Sequence, residues 1–409
     1  MSAAVSASRG LLLGCILAGG SPACANWEAS DEPLVPGDGG AAGATSDSGE
    51  LDADCPDAFK PGRAEEREVS RGLRVVGNEI HDADGRQVVL KGVNRSGSEY
   101  QCTKGSGFFD GDVDENAVKA MARWNINAVR VPLNEACWLG IGGVLDVLSG
   151  DYYKAAIASY VARLQRYGLI PILDLHWAAP GNRIPNGLLP MPNADHTEEF
   201  WTEVAELFAD NDGVVFEPYN EPFPDRNSST EAAWECWRDG CDETIGWGSA
   251  ETYEAVGMQA LVDAIRSTGS EHLILLGGLQ FSNDLSRWLE YKPTDPIDNV
   301  APAWHIYKRN QCASEECWND APDEIAEQLP IVVTELGQND CQGEFVETLI
   351  GWLDERSLGY LAWSWNAFGT CVSETGGGGE NAYSLITSYH CATPNGGFAD
   401  VFYESLLSD

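Results

Sequence analysis

The chain has 409 residues, 43% of them hydrophobic, enough for one large domain with its own core. Its 64 acidic residues outnumber 25 basic ones and give a formal net charge of −39. Such a surface repels phosphate backbones and anionic membranes, which argues against nucleic acid as a partner and leaves a neutral polymer compatible.

The N-terminus reads as a secretion signal over residues 1–25. Arg9 precedes an apolar run from Leu11 to Ala18, and Ala23-Cys24-Ala25 has the small-residue cleavage pattern. The run is too short to span a bilayer. Export is the expectation, secreted or at the cell surface, with a lipid anchor at Cys15 or Cys24 as the alternative to cleavage. Residues 26–66, rich in Gly, Ala, Ser, Asp and Pro, are expected to form a disordered acidic linker. Cys55 within it is positioned to tie the linker's end to the domain of residues 67–409. Beyond Cys15 and Cys24, ten of the 12 cysteines remain, an even number suited to disulfides in an exported protein. Cys236/Cys241 and Cys312/Cys317 are spaced for local closure. Cys102/Cys137 and Cys341/Cys371 are candidate longer pairs. No neighbouring His supports zinc at the short pairs.

From Leu73 the pattern becomes regular. Leu73–Ile80, the turn Asp82-Ala83-Asp84-Gly85 and the strand Val88–Val93 read as a hairpin, its first arm plugging the floor of the fold and its second opening a sheet. Strand-like runs then recur at Ala128–Pro132, Ile170–Leu175, Val214–Phe216, Leu273–Leu276, Val300–His305, Ile331–Thr334 and Tyr360–Trp363. Helices are expected between them at Asp151–Tyr167, Thr197–Ala209, Thr252–Thr268 and Glu344–Arg356, with a short last helix at Ala399–Leu407. Strands alternating with helices over this length predict an α/β fold, a single (β/α)8 TIM barrel with long, disulfide-bonded loops. The alternative is an open doubly wound sheet, but no Gly-rich phosphate loop follows any strand.

Chemistry collects where the apolar runs stop. Val214-Val215-Phe216 leads into Asn220-Glu221-Pro222, and Ile331-Val332-Val333-Thr334 into Glu335-Leu336-Gly337. Arg130, His176-Trp177, His305-Ile306-Tyr307 and Trp363 stand at other strand ends. In a barrel all of these converge on one mouth. Two carboxylates at one mouth can hydrolyse a glycoside, one protonating the leaving oxygen and the other attacking the anomeric carbon. A single catalytic metal is not expected, since Asp174-x-His176 has no second cluster to complete a site. The Gly-x-Ser-x-Gly elbow of a serine hydrolase is absent from the sequence.

Arg130 in Ala-Val-Arg-Val-Pro, His176 in Asp-Leu-His-Trp, Asn220-Glu221-Pro222, His305-Ile306-Tyr307, Glu335 in Thr-Glu-Leu-Gly and Trp363 in Ala-Trp-Ser-Trp follow one another in an order that resembles glycoside hydrolase family 5, the cellulase family A of the retaining (β/α)8 clan. The resemblance covers nearly all of the chain from Leu73 onward. It implies Glu221 as general acid/base and Glu335 as nucleophile. It implies that Asn220 holds the sugar 2-hydroxyl, that Tyr307 bonds the nucleophile and that Trp363 lies under the reacting sugar. His176 and His305 are expected to bind hydroxyls around that ring, and Arg130 to lower the pKa of Glu335. Trp363 is preferred over Trp365 as the platform. Trp138, Trp177, Trp247 and Trp304 are candidates for rim positions. His81, His196, His272 and His390 carry no such support, although His196 lies in a loop near the expected mouth.

The resulting expectation is a secreted retaining endo-β-1,4-glucanase, monomeric and without cofactor, acting on a β-linked polysaccharide or oligosaccharide. Other activities of the same family are the alternative: β-mannanase, β-1,3-glucanase, xyloglucanase or a glycolipid-acting β-glycosidase. A non-catalytic sugar-binding barrel would keep the tryptophans and lose a glutamate, yet both glutamates are present.

Overall fold

The structure is a computed structural model and describes residues 55–56, 65–246, 249–369, 371 and 383–407. These all belong to the unit Ser48–Asp409. The expected signal with Cys15 and Cys24, most of the linker, Trp247, and residues 370 and 372–382 lie outside the described residues.

Among the described residues twelve strands are formed: β1 (Arg74–Val76), β2 (Glu79–His81), β3 (Lys91–Asn94), β4 (Ala128–Asn134), β5 (Ile170–Trp177), β6 (Val215–Glu217), β7 (Cys241–Thr244), β8 (Thr252–Ala255), β9 (Ile274–Gly277), β10 (Val300–Tyr307), β11 (Val332–Gly337) and β12 (Gly359–Ala362). Eight of them close a parallel barrel in the order β10–β11–β12–β3–β4–β5–β6–β9, which excludes the open sheet. Along β4, Ala128 packs inside the barrel while Val129, Val131 and Leu133 pack outward under the helices. This two-residue alternation puts Arg130 on the inner face. The same parity turns Asp174 and His176 of β5, Glu217 of β6 and His305 of β10 inward.

Glu335 breaks the parity. Trp304 pairs with Val333, but His305 pairs with Glu335, so Thr334 is an extra residue in β11. The bulge brings both Thr334 and Glu335 to the inner face, as bulges do when they re-aim a side chain. Glu335 therefore lies within a strand rather than just past one, as the sequence suggested.

The N-terminal hairpin differs from expectation. β1 and β2 pair antiparallel around Gly77-Asn78, and the barrel's first strand begins only at Lys91. The Asp82–Arg86 turn exists as a second, smaller reversal, with the Asp82 N–H donating to the Arg86 carbonyl at 2.9 Å. Leu73 and Ile80 pack with Ala128, Ile170 and Leu273 inside the barrel, which closes its floor.

Thr252–Ala255 is also not the start of a helix. It alternates exposed and buried and pairs with Cys241–Thr244 as an antiparallel hairpin. The helix spans only Met258–Ser267. Gly257 marks the switch, because a Cβ there would stand 2.3 Å from the Arg238 carbonyl oxygen. The helix Asp151–Arg166 buries Tyr153, Ile157, Tyr160, Val161 and Leu164, the five positions its spacing indicated. Among the described residues no helix is long and apolar enough to cross a membrane.

Four disulfides join Cys102–Cys137, Cys236–Cys241, Cys312–Cys317 and Cys341–Cys371, and a fifth ties Cys55 to Cys391. Cross-links stabilise mainly by restricting the unfolded chain, more so for longer loops. The Cys102–Cys137 pair spans 35 residues and Cys312–Cys317 spans 5. Removing the first by a double alanine substitution should cost about 4 kcal/mol and removing the second about 2 kcal/mol. Denaturant unfolding of the two variants checks the order.

Candidate active site

The site is built on Arg130, which is fully buried. A guanidinium has five N–H donors, and all five are used. Nε donates to Glu217 Oε2 at 2.7 Å, and Nη1 to Asn94 Oδ1 at 3.0 Å and to Glu335 Oε1 at 2.7 Å. Nη2 donates to Asn220 Oδ1 at 2.8 Å and lies 3.1 Å from Asp174 Oδ2. One cation thus holds three carboxylates from β5, β6 and β11, where the sequence suggested a pairing with Glu335 alone. Burial without full compensation leaves Asp174 and Glu217 each with a pKa pushed up to about 7.

Glu335 Oε2 accepts from the Tyr307 hydroxyl at 2.5 Å. Both of its oxygens are therefore held by donors. The Glu221 side chain approaches from the segment after β6, 16% exposed against 5% for Glu335. That segment is fixed by three bonds: Trp201 Nε1 to the Pro218 carbonyl, Tyr219 hydroxyl to the Leu189 carbonyl, and the Asn220 N–H to the Leu175 carbonyl. A carboxylate oxygen of each glutamate and a ring nitrogen of His305 all lie within 4.8 Å of one another.

Burial raises the pKa of both glutamates. Glu221 is raised well above the ordinary range, first by burial and then by the charge of Glu335. Glu335 is also raised by burial, although Arg130 pulls it down, so the net lowering expected from the guanidinium alone does not occur. A proton shared between the two groups would favour Glu221, because Arg130 and Tyr307 donate to Glu335 and favour its anion.

His305 departs from its expected role. It is fully buried and spends both ring nitrogens on protein atoms: Nδ1 lies 3.0 Å from Glu221 Oε1 and Nε2 lies 3.1 Å from Thr334 Oγ1. With both nitrogens on protein atoms, it meets Glu221 and Thr334 rather than facing outward for hydroxyls of a sugar, as was expected. His176 holds Asp174 Oδ2 through Nδ1 at 2.7 Å, and burial lowers its pKa to about 3. Its ring stacks on Trp363 at 5.3 Å with the planes 9° apart. Trp363 is partly exposed at the mouth, whereas Trp365 is buried against Trp124 at 4.9 Å. Asn220 is oriented by Arg130: with Oδ1 accepting, its Nδ2 is left as the donor.

Two of the rim candidates belong to the core. Trp138 is buried on Tyr153 and Phe200, and Trp304 is buried with its N–H on the Asn283 carbonyl. Trp177 is partly exposed beside Tyr100. His196 bonds the Gly181 carbonyl, His272 the Asn211 carbonyl and His81 Glu79, while His390 lies near Asp112 and Asp114. Asn94, Glu217 and Thr334 were missed by the sequence reading. The available signal was their inward parity beside Arg130's strand.

The β7–β8 hairpin walls one side of the mouth. The Ala194 N–H donates to the Glu254 carbonyl, the Val256 N–H to the Pro192 carbonyl, and Tyr253 bonds the Met191 backbone. A cavity of about 410 Å³ lies between this hairpin and the segment after Glu221, lined by Pro190, Phe223, Arg226, Glu243, Thr244, Gly246 and Ser249. Among the described residues, two groups have metal-ligating atoms close together. In the first, Cys236 and Cys241 are tied in a disulfide beside Glu243. In the second, Glu221 meets His305, His305 also meets Thr334, and Glu335 is held by Arg130 and Tyr307. The second arrangement suits proton transfer and carboxylate attack at one carbon.

An endoglucanase of Microbulbifer sp. (strain ALW1) is 22% identical over 334 residues, covering 75% of this chain and 55% of that protein. The chain thus spans about half the length of that relative. A mannan endo-1,4-beta-mannosidase of Salipaludibacillus agaradhaerens is 20% identical over 312 residues, covering 73% of this chain and 83% of the relative. A beta-glucanase structure from Saccharophagus degradans shares the fold with a TM-score of 0.60 at 17% identity, covering 84% of this chain and 94% of that one. The family described as Cellulase (glycosyl hydrolase family 5) matches residues 82–369, most of the chain, and this protein belongs to glycoside hydrolase family 5.

Proposed function

We propose that the protein is an exported, retaining endo-β-1,4-glucanase in which Glu221 is the general acid/base and Glu335 the nucleophile. The observation that carries this reading is the meeting of the two carboxyls within 4.8 Å, with donors on Glu335 and a ring nitrogen at Glu221. Retaining enzymes hold their two carboxyls about 5–5.5 Å apart and inverting enzymes about 6.5–9.5 Å apart. The approach of the two carboxyls falls with the retaining class, which supports double displacement.

In the first step Glu335 attacks the anomeric carbon while Glu221 gives its proton to the leaving oxygen. Bonding to carbon removes the charge of Glu335, so the repulsion that raised Glu221 disappears and its carboxylate can take a proton from water in the second step. Asn220 Nδ2 reaches His176 Nε2 at 3.5 Å and keeps a second N–H for the 2-hydroxyl, and Trp363 offers an indole face to the apolar side of the ring. No cofactor enters either step.

A β-1,4-mannan is the second substrate considered, because the mannosidase relative aligns over 83% of its own length. Reducing-end release from soluble glucans and mannans, side by side, separates the two. Mannan cleavage with no release from any β-1,4-glucan would overturn the glucanase assignment.

Glu335→Ala should lower kcat at least about a thousandfold, with azide restoring turnover and giving a product of inverted configuration. Glu221→Ala should lower kcat on polymer by about 10²–10⁴-fold, and much less on substrates whose leaving group needs no proton. Polymer hydrolysis at the wild-type rate by either variant would refute the assigned roles.

The pH dependence follows from the same pair. Glu221 must be protonated, so activity falls as pH rises through its raised pKa. Glu335 must be ionised, so activity falls as pH drops through its own. A bell-shaped kcat/KM profile is expected, with Glu221→Ala removing the basic limb on an activated substrate.

A further inference from the structure

Behind Glu221 the hydrogen bonds continue into the barrel. His305 Nδ1 meets Glu221 Oε1 at 3.0 Å, His305 Nε2 meets Thr334 Oγ1 at 3.1 Å, and the Thr334 hydroxyl donates to Glu217 Oε1 at 2.9 Å. A hydroxyl has one proton to give. Since Thr334 gives it to Glu217, its oxygen can only accept from His305, and His305 must carry its proton on Nε2. A neutral imidazole has a single N–H, so Nδ1 is an acceptor. Burial beside Arg130 keeps the ring neutral. The one donor available to that acceptor is the carboxyl O–H of Glu221.

We propose that Glu217, Thr334 and His305 form a relay of positioning residues that fixes the His305 tautomer and so keeps the acid proton on Glu221. This rests on the assignment of Glu221 as the acid. The Thr334 bulge is what makes it possible, because without the extra residue in β11 the hydroxyl and Glu335 could not both face inward. Arg130 anchors the far end through its Nε contact with Glu217 Oε2 at 2.7 Å.

Other charges face Glu221, and they do not reverse the tautomer. Glu335 Oε2 lies 3.6 Å from His305 Nδ1, too far for a hydrogen bond, and it is already taken by Tyr307. Glu217 Oε1 lies 3.9 Å from Nε2 and favours a proton there. Asp174 of β5 acts on Glu221 in the same sense as Glu335, raising its pKa, and Arg130 of β4 acts against both.

The relay also has a balanced alternative state. The proton leaves Glu221 for Nδ1, the Nε2 proton passes to Thr334, and the Thr334 proton passes to Glu217. Each bond broken is matched by one formed, and Glu221 ends as a carboxylate receiving Nδ1–H. Without Thr334's hydroxyl that tautomer is reached by a net ionisation: the Glu221 proton moves to Nδ1 and the Nε2 proton is lost to solvent, none reaching Glu217. The N–H would then stabilise the Glu221 anion.

Two measurements test this. In Thr334→Val the basic limb of the kcat/KM profile should move to lower pH by about one unit, and Thr334→Ser should restore it. A basic limb at the wild-type pH in an active Thr334→Val would overturn the relay while leaving the acid role of Glu221 intact. In the wild-type enzyme, ¹⁵N resonances of labelled histidine should show His305 protonated at Nε2 and bare at Nδ1. The opposite pattern would sink the relay whatever the variants do. Loss of the bell in wild-type enzyme, or full polymer activity in Glu221→Ala, would fail the acid assignment instead.

Discussion

A single buried cation organises the mouth of this barrel. Arg130 has no access to water, and a charge in that position survives only where its donors are met. Its five N–H groups reach residues of β3, β5, β6 and β11 and the segment after β6. Those elements are far apart in sequence but adjacent or near one another round the barrel. Closing the barrel and neutralising the arginine are therefore the same event. Shifting any one strand by a residue would leave a buried charge without its partner, a cost of several kcal/mol. The register of the catalytic strands is held by electrostatics as much as by packing.

The arrangement also divides labour between two chemically identical groups. Glu335 sits where the cation and a phenol donate to it. Glu221 sits against the Nδ1 of a buried imidazole. Both are lifted by burial, but the donors gathered on Glu335 favour the anion there and leave Glu221 the readier to hold a proton. The asymmetry comes from three side chains, Arg130, Tyr307 and His305, rather than from the glutamates themselves.

Much of this was legible in the sequence, and for a physical reason. Buried parallel strands must be apolar runs, so a polar residue at the end of one stands out; Arg130, Glu221, Tyr307 and Trp363 were found in this way. What stayed hidden depended on backbone register. The bulge at Thr334 changes which face Glu335 occupies, and no residue type announces it. His305 looked like a sugar ligand because its position at a strand's end is visible and its burial is not. Glu217 was passed over because a lone acid after Val-Val-Phe carries no mark of the arginine two strands earlier and 87 residues away. The Thr252–Ala255 hairpin arm was taken for helix because Tyr253 and Ala255, two apart, join an apolar pattern that also fits a helical turn until Gly257 is seen to interrupt it.

The bond between Cys55 and Cys391 gives the molecule an unusual load path. A pull applied upstream of Cys55 passes through sulfur to the segment just before the last helix, Phe398–Leu407, and bypasses the first barrel strand. A protease that nicks the backbone between Cys55 and Arg67 would not detach what lies upstream, which stays leashed until the thiols are reduced. Whatever precedes Cys55 is thus mechanically coupled to the end of the chain rather than to its beginning.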